Sequence, residues 1–145
     1  FNYLFNKSET SQSYFQPPLE LHEIDYFEEI TINDIKINAI KQNHGVIDTL
    51  GFIFNDVFAY CTDVVGFPEK SFEYLRKMKV LIITGLRQSP HMAHAHFDLS
   101  FEWIAKLNPD VAYLTHLSPE SDHDVVTKLC PPNTYPAYDG LVIDI

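Results

Sequence analysis

Residues 80–116 read VLIITGLRQSPHMAHAHFDLSFEWIAKLNPDVAYLTH, and this stretch decides the fold. It opens with a continuous apolar run, 80–83, which is typical of a strand covered on both faces. A helix is predicted from about Asp98 to Leu107, where Asn108-Pro109 stops it. The run 111–114 is a second buried strand. Strand, helix and strand form a βαβ unit, so the sequence predicts an α/β fold. The helix residues expected to face a core are Phe101, Ile104, Ala105 and Leu107.

The segments on either side extend this pattern. Before it, Asn55-Asp56 predicts a tight hairpin, and Pro68 suits the first turn of a helix running to about Lys77. After it, a short helix is expected over 122–129 and a final strand over Leu141 to Ile145. The expected result is a mixed sheet with flanking helices. The upstream strands are predicted at 30–32, 36–40, 50–54 and 57–61.

The first 29 residues are the least regular part of the chain. A polar stretch, 7–13, and Pro17-Pro18 predict a loop, with an aromatic anchor at its start formed by Phe1, Tyr3 and Phe5. We interpret residues 1–145 as a single, partial domain whose N-terminal segment, 1–29, is irregular. The chain opens at Phe1 without a methionine, which leads us to expect a fragment of a longer protein.

Composition excludes some functions. The chain has 145 residues, 46% of them hydrophobic, and a formal net charge of −10. This acidity disfavours nucleic acid as a partner and suits a cation site. Cys61 and Cys130 have no CxxC spacing, which is typical of a reducing compartment, and we expect a cytoplasmic protein. No apolar run approaches the roughly 20 residues that span a bilayer, so no membrane partner is expected.

Histidines and one aspartate follow the predicted strands. His44, Asp63 and His116 each come at or after the end of an apolar run, and a histidine-rich loop, 91–96, follows the 80–83 strand. Each has an ordinary explanation: a hydrogen-bonded surface histidine, a turn-capping aspartate or a solvated loop. Parallel strands end at a common edge, however, so these side chains can converge. Their joint occurrence favours a divalent metal such as zinc or manganese.

Short motifs in a fixed order give a resemblance over about residues 30–145. They resemble the metallo-β-lactamase fold, and within it the branch of cyclic-phosphate phosphodiesterases that includes the carbon–phosphorus lyase accessory enzyme. The motifs are Asn43-His44-Gly45, Leu50-Gly51-Phe52, Tyr60-Cys61-Thr62-Asp63, Leu86-Arg87 with Pro90-His91, His96-Phe97-Asp98-Leu99, Leu114-Thr115-His116-Leu117-Ser118 and Tyr138-Asp139-Gly140.

The resemblance implies the C-terminal part of an αββα sandwich with two divalent metal ions, zinc or manganese, in the complete enzyme. It implies that His44 binds one metal, that Asp63 bridges both and that His116 binds the second. His96 matches an extra histidine that protonates the leaving group or holds the phosphate, and His94 competes for that role. The implied reaction is hydrolysis of a phosphodiester, expected to be a small or cyclic molecule.

The sequence departs from the family pattern in one respect. The His-x-His-x-Asp-His motif appears nowhere in the 145 residues, and His22 is the one histidine upstream of His44. Two ligands would then remain for each metal, where a catalytic metal usually has three. The chain alone is therefore expected to bind metal weakly or not at all and to be inactive or nearly so.

Two other functions stay open. One is a non-catalytic module that binds itself or a partner, because loss of one sheet of the sandwich exposes an apolar face; this predicts a homodimer that covers the face. The other is a tRNA 3′-processing endonuclease-like nuclease, which the negative charge disfavours.

Overall fold

The computed structural model describes Phe5 and residues 19–145. Within them, seven strands form one sheet in sequence order: β1 (Glu29–Ile32), β2 (Ile35–His44), β3 (Ile47–Phe54), β4 (Phe58–Cys61), β5 (Val80–Thr84), β6 (Val111–Thr115) and β7 (Thr134–Pro136). The first four are antiparallel neighbours, and β4 to β7 are parallel. The helices are α1 (Glu69–Leu75), α2 (Phe97–Leu107) and α3 (His123–Leu129). The predicted α/β fold with a mixed sheet is confirmed.

A tight turn at Asn55 and Asp56 reverses the chain between the antiparallel strands β3 and β4. Asn55 and Asp56 have φ values of 51° and 56°, in the left-handed region that Asn and Asp tolerate better than most side chains. Phe54 pairs with Phe58 across the turn. The predicted hairpin is therefore confirmed.

One face of the sheet holds the core. Alternate residues of β5 and β6 point to it, and Leu81, Ile83 and Leu114 are at most 1% exposed. Helix α2 packs Trp103, Ile104 and Leu107 into the same core. Ala105 is exposed, so its predicted core position is wrong, and the larger Trp103 fills the core instead.

The opposite face carries a row of paired residues, which we call the open face: Phe52, Tyr60, Ile82, Tyr113 and Tyr135. Each member is the register partner of the next, so the row crosses five strands. Tyr60 and Tyr135 are 40% and 49% exposed. The row is apolar or aromatic throughout, and part of it remains exposed.

The C-terminal end differs from the prediction. Residues 141–145 form no strand, and Val142 and Ile145 are 81% and 71% exposed. The last strand is β7, which the sequence analysis missed. It ends at Pro136, which is tolerated because β7 is an edge strand, where one side of the backbone needs no partner.

Two further expectations concern the first half of the chain. β2 extends beyond Ile40 to His44, so His44 lies in the strand and not after it. The polar loop and Pro17-Pro18 lie outside the described residues, as does the aromatic anchor apart from Phe5. Residues 19–28 contain no helix or strand.

No helix in the part of the chain that the structure describes combines the length and apolar character needed to cross a bilayer. The longest, α2, has 11 residues.

Candidate metal centre

Strands β2, β4, β5 and β6 run in the same direction, so their C-terminal ends lie along one edge of the sheet. His44 is the last residue of β2, Asp63 follows β4 by two residues, and His116 directly follows β6. The loop after β5 contains His94. The sheet therefore brings side chains from four separate strand ends to one place.

A single carboxylate oxygen lies at the centre of this group. Asp63 Oδ1 is 3.8 Å from His44 Nε2, 3.8 Å from His94 Nδ1 and 3.8 Å from His116 Nε2. His44 Nε2 and His94 Nε2 are 3.3 Å apart. The His94 ring also packs against those of His44 and His116, with ring centres 4.6 Å and 4.7 Å away. We call these four residues the His/Asp cluster.

Backbone hydrogen bonds fold the loop after β5 so that His94 reaches the cluster. Leu86 N–H donates to Ala95 O at 2.9 Å, and Ala95 N–H donates to Val64 O at 2.7 Å. Within the loop, His91 Nδ1 accepts from the backbone N–H groups of Ala93 and His94, each at 3.2 Å. These two hydrogen bonds fix the turn that presents His94.

The Asp63 turn is held from β2 and β3. Gln42 is fully buried, and its Nε2 donates to Thr62 O at 2.8 Å. Thr49 Oγ1 donates to Asp63 O, also at 2.8 Å. These bonds restrain a residue whose φ is 54°, which a non-glycine residue adopts only at a cost in free energy.

The donor atoms fit a divalent cation. Two ligands of a tetrahedral zinc ion with bonds of 2.0–2.1 Å lie about 3.3 Å apart. The donor atoms of His44, Asp63 and His94 all lie within 4.8 Å of one another, and His94 Nδ1 lies 3.8 Å from Asp63 Oδ1. His94 Nδ1 is buried and has no hydrogen-bond partner among the described residues. A buried nitrogen without a partner is costly unless something binds it.

Burial also affects the charge of His94. It lowers the pKa of this imidazole below its usual 6.5, and the nearby His116 and His44 lower the pKa further. The neutral imidazole is therefore favoured near pH 7, and the neutral form is the one that binds metals.

Four of the five residues predicted for the site come together: His44, Asp63, His94 and His116. His96 does not join them. It is the N-cap residue of α2, and in the described part of the chain its side chain forms no hydrogen bond, ion pair or ring contact with the cluster.

Two supporting residues were missed by the sequence analysis, Gln42 and Thr49, and His91 was named only as part of the histidine-rich loop. Gln42 carries no signal in the sequence, because its neighbours Lys41 and Asn43 are also polar and its burial depends on the fold.

Comparisons with known proteins identify the family. Residues 1–117 match the family model of the beta-lactamase superfamily domain. The chain belongs to this family. The resemblance to the metallo-β-lactamase fold is thus confirmed, and the matched residues make up most of the chain. A comparison with curated proteins gives no match.

Two solved structures are similar to this superfamily domain. One is described as a new diphosphatase from the PhnP family; it is 30% identical, with a TM-score of 0.82 over 87% of this chain and 49% of its own. The other is the metallo-β-lactamase fold protein YhfI from Bacillus subtilis, 16% identical, with a TM-score of 0.66 over 99% of this chain and 60% of its own. The chain spans about half the length of the first neighbour.

Proposed function

We propose that the His/Asp cluster binds a divalent cation, zinc or manganese, and that the site hydrolyses a small phosphodiester. The observation that carries this proposal is one carboxylate oxygen at 3.8 Å from three imidazole nitrogens. Nitrogen-rich donors with one carboxylate suit zinc and manganese better than magnesium or calcium. Family membership supports the same chemistry.

The ligand assignment follows the distances. His44, Asp63 and His94 are three protein donors, which is the number that leaves a position open in catalytic zinc sites. His116 remains the predicted ligand of a second cation. The other donors to that cation would come from the His-x-His-x-Asp-His motif, which does not occur in the 145 residues. Because His94 adds a third donor that the sequence analysis did not count as a ligand, we propose one bound cation for this chain in place of the weak or absent binding expected from sequence.

The residues of the chain have separate tasks in this proposal. A bound divalent cation supplies Lewis acidity, which stabilises the negative charge that develops on a phosphoryl group. Asp63 offsets the charge of the cation, and hydrogen bonds to the backbone oxygens of Thr62 and Asp63 hold the turn that carries its side chain. The lowered pKa of His94 favours a ligand over a proton donor, which leaves His96 as the predicted donor to the leaving oxygen.

The diphosphatase neighbour supports a second candidate substrate. A diphosphate contains a phosphoanhydride bond, and the same cation site would stabilise the same kind of charge during its cleavage. Release of nitrophenol from a nitrophenyl phosphodiester and release of phosphate from an alkyl diphosphate distinguish the two substrates.

The compartment is also part of the proposal. Cys61 and Cys130 are both free, and burial raises the pKa of the Cys61 thiol. Free, protonated thiols persist in a reducing environment, which supports a cytoplasmic location.

Elemental analysis of the purified chain tests the metal site. Asp63→Asn removes the central charge, and Asp56→Asn is its matched control because Asp56 has a similar φ of 56° and lies outside the cluster. We expect about one zinc or manganese per chain in the wild type and the control, and almost none in Asp63→Asn.

Turnover tests the activity separately. Hydrolysis of a nitrophenyl phosphodiester should require added metal and disappear in Asp63→Asn. Metal binding without turnover would contradict the proposed hydrolase activity, and the chain would then be better described as a non-catalytic module. No metal binding in the wild type would contradict the whole proposal.

A further inference from the structure

Two clefts meet at Tyr138, next to the His/Asp cluster. The first, of about 330 Å³, is lined by His116 and its neighbours in sequence together with Ala137, Tyr138 and Asp139. The second, of about 340 Å³, is lined by Tyr113, Tyr135, Tyr138 and His123, with Thr127, Pro136 and Leu141. We call the second one the aromatic cleft. Tyr138 lines both, so the two clefts are neighbours on either side of one exposed side chain.

A tight turn presents the Tyr138 ring. Leu141 N–H donates to Tyr138 O at 3.1 Å, and Gly140 has a φ of 87°, which a glycine adopts without strain at the third position of such a turn. The Tyr138 side chain is 60% exposed, and the His123 ring lies 6.3 Å away at an interplanar angle of 77°. Tyr113 and Tyr135 form a second aromatic pair, 6.0 Å apart.

The two clefts are lined by different kinds of side chain and so favour different parts of a ligand. The aromatic cleft is lined by three tyrosines and a histidine, and among the residues that the structure describes, no lysine or arginine lines either cleft. Aromatic walls favour flat rings, because stacking on an aromatic side chain contributes about 1–3 kcal/mol per nucleobase. A phosphate belongs instead at the His116 end, where the proposed cation would neutralise it.

We propose that the aromatic cleft binds the nucleobase of a small nucleotide substrate, whose phosphodiester lies beside His116. This inference rests on the proposed function for the position of the phosphodiester, but the base site stands on the aromatic lining alone. Tyr138 is the residue that connects the two, so it should determine which phosphodiesters the site prefers.

Binding of free adenosine tests the base site without catalysis. Calorimetry on the chelator-treated chain should show adenosine binding, weakened about tenfold in Tyr138→Ala, which corresponds to the loss of one stacking contact. Tyr138→Phe keeps the ring and should bind as the wild type does. Tyr26→Ala is a matched control, because Tyr26 is also exposed and lines neither cleft. Circular dichroism checks that each variant is folded.

Substrate preference tests the connection to the metal site. With metal added, Tyr138→Ala should lower kcat/KM for the nitrophenyl ester of a nucleoside monophosphate about tenfold and leave that for methyl nitrophenyl phosphate unchanged. An equal loss on both esters, or adenosine binding that does not depend on Tyr138, would overturn the inference.

The two proposals can fail separately. Hydrolysis of the methyl ester without adenosine binding would reject the base site and keep the metal site. Adenosine binding that depends on Tyr138 in a chain without turnover would reject the activity and keep the base site.

Discussion

Asp63 and His116 share an unusual backbone conformation, with φ values of 54° and 61°. A side chain with a Cβ atom adopts this region at a cost of about 1–2 kcal/mol, and such strain tends to occur at functional sites. Eight described non-glycine residues have a positive φ, Phe27 among them, and Asp63 and His116 are the two that belong to the His/Asp cluster. The conformation turns the chain directly after β4 and β6, so the fold accepts a local cost in order to position the two side chains.

Substitution of His116 by Asn should separate function from stability. Asn tolerates positive φ better than His, so the metal-free chain should keep its free energy of unfolding or gain up to about 1 kcal/mol. Metal affinity should not improve, because an imidazole near Asp63 is lost. His22→Asn is the control, since His22 is exposed and remote in sequence from the cluster. Denaturant unfolding in chelator measures the effect; a loss well above 1 kcal/mol would contradict it.

His94 makes stability depend on pH. Burial and the neighbouring imidazoles lower its folded pKa below 6.5, so between these two pKa values the unfolded chain binds more protons. The free energy of unfolding of the metal-free chain should therefore fall as the pH drops through 6.5. His94→Gln should flatten this dependence, and His22→Gln should not. A pH profile that His94→Gln leaves unchanged would contradict the assignment.

The position of His94 could not be deduced from its sequence. The loop 85–96 has no period, and two histidines two residues apart are equally plausible candidates for one site. What selects His94 is the pair of bonds that Ala95 forms with Leu86 and Val64, together with the acceptor His91. These contacts link segments distant in sequence, so no local pattern reveals them.

At the level of elements, β5 and the hairpin between β3 and β4 were predictable because their cause is local. The apolar run from Val80 to Ile83 and the turn at Asn55-Asp56 determine a strand and a hairpin by themselves. β7 was missed because it has three residues and ends at a proline. Leu141 to Ile145 has the composition of a strand, but β7 already occupies the place beside β6. Competition for a partner strand is a tertiary effect.

The contact between β2 and β3 near the Asp63 turn depends on Gly51. A Cβ atom at this position would lie 2.5 Å from Gln42 Oε1 and 3.1 Å from Ile40 Cγ1. Gly51→Ala should therefore displace the buried Gln42, lower the free energy of unfolding by about 1–3 kcal/mol and weaken metal binding, because Gln42 holds Thr62.

Gly66→Ala is the matched control for Gly51→Ala. The nearest atom to its added Cβ would be 3.8 Å away, which is an ordinary contact. Thermal unfolding and metal titration of the two variants should differ accordingly. Equal stability of both variants would show that Gln42 can move without cost.

At the scale of the whole molecule, the open face predicts self-association. The members of this row outside the aromatic cleft, Phe52, Tyr60 and Ile82, are apolar or aromatic, and exposed surface of this kind favours a protein partner. We expect a homodimer by light scattering, about twice the 16.7 kDa of one chain. Tyr60→Glu places a charge in the row and should shift the population to monomers. A wild-type chain that remains monomeric at high concentration would contradict this prediction.

Because the residues of the His/Asp cluster come from separate strand ends, a bound cation would also stabilise the sheet. His44 ends β2 and His94 lies in the loop after β5, with β3 and β4 between those two strands, so an ion bound to both would connect separate parts of the sheet. Since the unfolded chain cannot gather these ligands, the concentration of free metal should raise the melting temperature, and depletion of the ion would loosen the whole sheet and not its rim alone.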